Sequence, residues 1–124
     1  MAQAAGVTYS GGANLAMKVP AHLWDATVSF YRDTLGLEEL EPFTGTPPSV
    51  GFVFGVNRLW IDRVVGMSQA ELWLEIVTSD PRAAADELAA ATGVARCDEV
   101  EPLPAGGSPF WISSPASVVH LVGP

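Results

Sequence analysis

The second half of the chain repeats the order of structural elements found in the first half. Residues 14–20 alternate between apolar and polar or small side chains, which predicts a strand, and apolar residues at helical spacing follow over residues 23–35. The same order returns in residues 71–92. Gly36 and Gly93, placed to cap the two helices, are 93 − 36 = 57 positions apart. A repeat of this length indicates a duplicated supersecondary module.

Each predicted helix is followed by three β-rich segments, so the order β-α-β-β-β occurs twice. These segments cover residues 37–43, 50–56 and 58–65 in the first half, and residues 94–102, 108–113 and 117–123 in the second half. The sequence therefore predicts an α+β fold of eight strands and two helices. Module one spans about residues 13–66 and module two about residues 70–124, whereas the residues up to Gly12 are expected to form a loose arm.

The chain length and the net charge limit the number of domains and the classes of partner. The 124 residues are enough for one domain, which we place at 1–124, and the net charge of −8 argues against nucleic acid and anionic membrane surfaces as partners. No apolar run reaches membrane-spanning length and the N-terminus does not resemble a signal peptide, so we expect a cytoplasmic protein. Cys97 is the single cysteine, which excludes an internal disulfide and predicts an inert thiol.

The end of the first helix carries a family resemblance. The stretch Phe30-Tyr-Arg-Asp-Thr-Leu-Gly-Leu, following a strand that ends Val-Pro, resembles the vicinal oxygen chelate superfamily, which includes glyoxalases, bleomycin resistance proteins and dioxygenases. The doubled β-α-β-β-β order extends the resemblance over nearly the whole chain. It implies two curved half-barrel sheets that enclose a concave cavity, with both helices outside, and it implies a homodimer.

Strand alternation then predicts which side chains face that cavity. In the first strand Leu15, Met17 and Val19 form the apolar set beneath the helix, so the intervening residues face the cavity. The same reasoning in the other strands completes the predicted cavity set: Asn14, Ala16, Lys18, Arg58, Trp60, Asp62, Trp73, Glu75, Val118, His120 and Val122. Trp111 joins this set if Phe110 and Ile112 take the helix side.

The resemblance also implies four metal-ligand positions, one on the first and one on the last strand of each module. These positions carry Asn14, Asp62, Trp73 and His120, where metal-dependent members place His, Glu or Gln. Trp73 cannot bind a metal, and Glu75 would have to reach back about 7 Å along its strand to replace it. We therefore predict no metal and no other cofactor.

The predicted cavity residues support two kinds of chemistry. Trp60, Trp73 and Trp111 would bind a flat or apolar ligand by stacking, whereas Trp24 belongs to the core. His120, oriented by Asp62, is the candidate acid or base near neutral pH. Lys18 and Arg58 would bind a carboxylate or phosphate of a ligand, or pair with Asp62 or Glu75.

The main functional hypothesis is a metal-free small-molecule binding protein that resembles the bleomycin resistance branch. Its ligand-binding residues would be Asn14, Lys18, Arg58, Trp60, Trp73, Glu75 and Trp111. One alternative is a lyase, isomerase or dioxygenase that uses His120 and Asp62 as metal ligands or as acid and base. The other alternative is a dimeric interaction module.

Overall fold

A computed structural model describes residues 6–103 and 106–124, so residues 1–5 of the predicted arm, and Pro104 and Ala105 between the predicted strands at 94–102 and 108–113, lie outside the described residues. The strands are β1 (Tyr9–Gly11), β2 (Asn14–Pro20), β3 (Ser49–Phe54), β4 (Asn57–Val64), β5 (Glu71–Thr78), β6 (Ala95–Arg96), β7 (Phe110–Ser113) and β8 (Val119–Gly123). The helices are α1 (Ala21–Ser29), continued by a π-helical turn (Phe30–Thr34), and α2 (Pro81–Ala89), with a 3₁₀ turn at Asp98–Val100.

These elements fall into two compact units. The first unit is Ala13–Trp73, and the second unit combines residues 6–12 with Leu74–Pro124. Strand β5 contributes its first three residues to the first unit and its remainder to the second. The prediction of one domain over residues 1–124 stays a prediction.

The first unit is organised around β2, which lies between β4 and the start of β5. Strand β2 is parallel to β4 and antiparallel to β5, and β3 pairs with β4 in antiparallel fashion. Apolar residues that alternate along β2, β3 and β4 pack beneath α1, as predicted for β2 and β4. The buried members of this core are Val19, Val28, Val50, Phe52, Leu59 and Ile61, with Leu15, Met17, Trp24, Tyr31 and Leu37 packed against them. Trp24 also donates its indole N–H to the carbonyl of Ile61 at 2.9 Å.

The end of the first helix explains the motif that carried the family resemblance. Gly36 has a φ of +66°, the left-handed conformation that favours glycine. The N–H of Leu37 then donates to the carbonyl of Tyr31 at 3.1 Å. This closing bond spans one residue more than in a standard Schellman cap, because the last turn of the helix is π-helical.

The second unit packs β5, β7 and β8 against α2. Strand β8 is parallel to β5 and antiparallel to β7, which also pairs with β6. Helix α2 begins as predicted, since the side chain of Asp80 accepts the N–H of Ala83 at 3.1 Å and Pro81 occupies the first helical position. The buried core members are Val7, Ala84, Phe110, Ile112 and Val122.

The prediction of a loose arm is wrong for residues 6–12. Val7 is buried in the core beneath α2, and β1 pairs with β5 in antiparallel fashion from Tyr9 to Gly11. Val7 and Tyr9 alternate with polar residues, but a run this short carries too little periodicity to identify a strand.

One predicted strand, at residues 37–43, is absent, and another, at residues 94–102, is shorter than expected. Residues 37–43 form only isolated bridges, between Glu39 and Phe52 and between Phe43 and Ser49, because Pro42 has no N–H to continue a ladder. Residues 94–102 keep only β6 as a strand. Beyond it the side chain of Asp98 accepts the N–H of Trp111 at 2.9 Å, so a side chain replaces a ladder bond and the backbone turns into the 3₁₀ helix.

The predicted α+β class is confirmed, with two α-helices and eight strands among the described residues. Strand β1 brings the number to the predicted eight after the loss of the strand at 37–43. Among the helices of residues 6–103 and 106–124, none is long and apolar enough to cross a membrane.

A hydrogen bond joins residues 6–12 to α2, and its contribution to stability can be tested. The hydroxyl of Tyr9 donates to a carboxylate oxygen of Glu87 at 2.6 Å, and burial together with this carboxylate raises the pKa of Tyr9 to about 12. The unfolded phenol has a pKa of about 10, so the stabilisation is complete below that pH and is lost as the pH rises through about 12.

We expect Tyr9→Phe to lower the free energy of unfolding by about 1 kcal/mol at neutral pH. The difference from wild type should shrink between pH 10 and pH 12, as measured by urea denaturation. A difference that stays constant over this pH range would show that the hydroxyl of Tyr9 is not held by Glu87.

Candidate functional site

The side of the first unit opposite α1 carries three rows of side chains that run across the strands. We call this surface the Trp60 face; it comprises the residues of β2, β3, β4 and the start of β5 that alternate with the core residues. The first row is Ser49, Asp62, Lys18 and Glu71; the second is Gly51, Trp60, Ala16 and Trp73; the third is Val53, Arg58 and Asn14. The predicted cavity residues of this unit thus lie on one surface.

A buried ion pair occupies the first row. The ammonium Nζ of Lys18 lies 2.6 Å from Oδ2 of Asp62, and the hydroxyl of Ser49 donates to Oδ1 of the same carboxylate at 2.5 Å. Lys18 is only 2% exposed and Asp62 only 6% exposed. Both oxygens of Asp62 are therefore engaged by neighbouring strands, which offsets the cost of removing the carboxylate from water.

Trp73 covers this ion pair. The centroid of its ring lies 4.1 Å from Nζ of Lys18, a cation–π contact, and its indole N–H donates to Glu71 at 3.0 Å. Trp73 is 8% exposed, so most of its ring is used in packing.

Trp60 is positioned by the space over Gly51 and by a hydrogen bond to the side-chain amide of Asn14. A Cβ atom added to Gly51 would come within 2.6 Å of the six-membered ring of Trp60, so the absence of a side chain at Gly51 lets the ring lie against β3. Oδ1 of Asn14 accepts the indole N–H at 3.0 Å and also accepts Nε of Arg58 at 2.9 Å. One amide oxygen thus fixes both the ring and the guanidinium group.

Ala16 lies between the two tryptophans in the second row. It pairs with Trp60 on β4 and with Trp73 on β5, and it is partly exposed although its strand is central in this unit. The six-membered ring of Trp60 lies against Gly51, and the ring of Trp73 lies against Nζ of Lys18. We call the region bounded by Trp60, Ala16 and Trp73 the Ala16 slot.

The linker between β4 and β5 lines a cleft. This cleft of about 480 Å³ is open to solvent and is lined by Val64, Val65, Gly66, Met67, Ser68, Gln69 and Glu71. Its single ionisable side chain, Glu71, already accepts the indole N–H of Trp73. The cleft therefore provides no group of residues suited to catalysis.

Comparison with known proteins supports the fold. No protein-family model and no curated protein matches the chain. Among solved structures, a hypothetical protein from Bacillus halodurans C-125 superposes with a TM-score of 0.64 at 12% identity, covering 96% of this chain and 95% of its own. A glyoxalase/bleomycin resistance protein/dioxygenase superfamily member from Vibrio splendidus 12B01 gives a TM-score of 0.60 at 13% identity, covering 89% of this chain and 97% of its own.

The chain has the vicinal oxygen chelate fold. A third similar structure is the Mn(II)-bound glyoxalase from Novosphingobium aromaticivorans, with a TM-score of 0.55, 22% identity and coverage of 89% of this chain and 37% of that one. The recognition made from the helix-end motif and the repeat is thereby confirmed at the level of the fold. Fold alone does not specify an activity.

The four positions at which this fold implies metal ligands do not fit a metal ion. The carboxylate of Asp62 is bound by Lys18 and Ser49, and a metal would have to displace an ammonium group already in contact. Trp73 has no ligand atom, and Oδ1 of Asn14 accepts two N–H groups. Among residues 6–103 and 106–124, no three His, Cys, Asp or Glu side chains are grouped so that they could hold a metal.

The predicted orientation of His120 is wrong. Val122, two residues further along β8, is fully buried in the core beneath α2, and alternate residues of a strand share a face. His120 pairs with Ile112, another residue of that core, so its side chain lies on the α2 side of the sheet. Its Nδ1 lies 2.9 Å from the carbonyl oxygen of Val118, which can only accept a hydrogen bond.

The error arises from the offset between the two modules. Asp62 and His120 are 120 − 62 = 58 positions apart, and this spacing made them seem equivalent. In the structure Met17 pairs with Ile61, 61 − 17 = 44 positions later, whereas Leu74 pairs with His120, 120 − 74 = 46 positions later. The second module therefore does not repeat the first with one constant offset, and a spacing of 58 does not place Asp62 and His120 on equivalent faces.

Two further predicted ligand-binding residues lie in the second unit. Glu75 and Trp111 both pair with Leu121, on the side opposite α2. Trp111 is 6% exposed and donates its indole N–H to the carbonyl of Glu101 at 3.1 Å, while the side chain of Glu75 passes over Gly12.

Cys97 is buried, and desolvation together with Glu99 and Asp98 raises the pKa of its thiol. A raised pKa lowers the thiolate fraction at neutral pH, which agrees with the prediction of an inert thiol.

We expect the ion pair of the first row to contribute measurably to stability. Lys18→Met leaves the Asp62 carboxylate buried without its cation, so we expect a loss of about 3 kcal/mol in the free energy of unfolding. Adding Asp62→Asn to that variant removes the buried charge and should restore part of the loss. Urea denaturation of the two single variants and the double variant measures the coupling.

Arg32→Gln is the matched control, because it breaks the exposed ion pair between Arg32 and Glu39 and should change stability much less. If Lys18→Met were no more destabilising than Arg32→Gln, Lys18 and Asp62 would not form the buried pair.

Proposed function

We propose that this chain is a small-molecule binding protein that holds a planar apolar or aromatic ligand on the Trp60 face without a metal ion. The proposal is based on the arrangement of the second row. In this row Ala16 lies between Trp60 and Trp73, and Gly51 lies beneath the ring of Trp60. Ala16 beside the partly exposed ring of Trp60 leaves apolar surface for a flat molecule, which aromatic side chains bind by stacking and area burial.

The ion pair supports this proposal by removing charge from the site. Lys18 and Asp62 neutralise each other beneath Trp73, so this pair adds no separated charge to the face. A ligand that stacks there does not have to desolvate an unpaired ion, which would weaken its binding.

The enzymatic alternative depended on His120 and Asp62 acting together as metal ligands or as acid and base. His120 lies on the α2 side of β8, and the carboxylate of Asp62 is bound by Lys18 and Ser49. No observation on the described residues favours that alternative. Homodimerisation and a cytoplasmic location remain predictions, and sedimentation equilibrium at micromolar concentration tests the first of them.

The proposal is tested with naphthalene-2-carboxamide, a neutral planar probe, by quenching of tryptophan fluorescence and by calorimetry. We expect Trp60→Ala to weaken binding by about 1 to 3 kcal/mol, the typical loss of stacking and buried area. Gly51→Ala should also weaken binding, because the new methyl group displaces the ring of Trp60 without removing it.

Gly11→Ala is the control for Gly51→Ala, since a Cβ at Gly11 meets nothing within 4 Å. Trp24→Phe is the control for loss of a tryptophan, because Trp24 packs in the core and should affect stability without changing affinity. Unchanged affinity in folded Trp60→Ala would contradict the proposal.

A further inference from the structure

We propose that the ligand of the Ala16 slot is a planar anion, an aromatic ring that carries a carboxylate, and that Arg58 binds this carboxylate. This inference rests on the proposed function and specifies its ligand class. It derives from the third row of the Trp60 face, where Arg58 and Asn14 lie next to the slot.

The guanidinium group of Arg58 is exposed and oriented. Its Nε donates to Asn14 at 2.9 Å, and the same amide oxygen accepts the indole N–H of Trp60 at 3.0 Å. Because Nε is already held, the two Nη groups form the part of the planar fork that can bind a carboxylate with two parallel hydrogen bonds. Asn14 thus couples the position of the cation to the position of the stacking ring.

Arg58 differs from the other cation of the Trp60 face in its exposure and in its partner. The other cation, Lys18, is buried and paired with Asp62. Within residues 6–103 and 106–124, Arg58 forms no ion pair with a carboxylate; its partner is the neutral amide of Asn14. An exposed arginine held by a neutral group keeps its full charge for a ligand.

The net charge of the chain, −8, acts in the opposite direction by repelling anions at a distance. Solvent ions screen such repulsion beyond about 8 to 10 Å, whereas a charge-assisted hydrogen bond acts in direct contact. We therefore expect the contact with Arg58 to decide the preference of the bound ligand.

The spacing of the rows suits such a ligand. Arg58 and Trp60 are two residues apart on β4, and Asn14 and Ala16 are two apart on β2, so the rows are separated by about 7 Å. A ring that lies over Ala16 and carries a carboxylate on its edge directs that carboxylate towards the guanidinium group.

The test compares two probes that differ only in charge, naphthalene-2-carboxylate and naphthalene-2-carboxamide, by calorimetry at pH 7. We expect the wild type to bind the carboxylate about tenfold more tightly than the amide, and Arg58→Gln to abolish this difference while still binding the amide. Arg63→Gln is the matched control: Arg63 is exposed on the same strand but alternates with Arg58 and lies on the α1 side, so the tenfold preference should remain.

Two results would overturn the inference while leaving the proposed function in place. One is equal affinity of wild type for the two probes, or a preference for the cationic probe naphthalen-2-ylmethylammonium. The other is a preference for the carboxylate that persists in Arg58→Gln. If neither naphthalene probe binds the wild type, the proposed function itself is wrong and the inference fails with it.

Discussion

The buried ion pair between Lys18 and Asp62 sets the arrangement of the first unit. Two charges removed from water are tolerated only when each is closely paired and hydrogen-bonded, and here Ser49 and the ring of Trp73 supply the additional contacts. The members of this network come from β2, β3, β4 and β5. A shift of β2 or β4 by one residue would place Lys18 or Asp62 in the apolar core beneath α1, so the pair specifies strand register as well as contributing energy.

The same interaction explains how a fold that hosts metal-dependent enzymes can present a different kind of surface. The carboxylate of Asp62, at one of the positions where the family resemblance implies a metal ligand, is paired with the ammonium group of Lys18 on the neighbouring strand. With that carboxylate neutralised, the neighbouring row can consist of aromatic and small side chains. The ligand class that we propose, a planar aromatic molecule, is thus compatible with the pairing of Asp62 with Lys18.

Much of the fold and part of the candidate site could be predicted from the sequence. The repeat, the caps at Gly36 and Asp80 and the two faces of β2 and β4 were predictable, because regular alternation and cap chemistry leave a direct trace in the sequence. The orientation of His120 was not. Residues 118–122 are apolar apart from His120, so alternation could not fix the parity of this strand, and the module offset was the remaining guide.

Other features depended on three-dimensional partners. The sequence left open whether Lys18 binds a ligand or pairs with Asp62, because the choice depends on which strands become neighbours. Ser49, Gly51 and Glu71 were missed as members of the rows, since each acts through the residue opposite it on another strand. The pattern Ser49, Gly51, Val53 at alternate positions beside the β4 residues was the signal that could have identified the first two.

We infer that Asp62, which is bound by Lys18, does not act as a metal ligand. This inference is tested by the metal content of protein purified without chelator and then equilibrated with Zn²⁺, Ni²⁺ or Mn²⁺, compared between wild type and Asp62→Asn. We expect no metal that depends on Asp62, so that the two proteins retain the same small amount after dialysis. About one metal ion per chain in wild type, lost in Asp62→Asn, would contradict it.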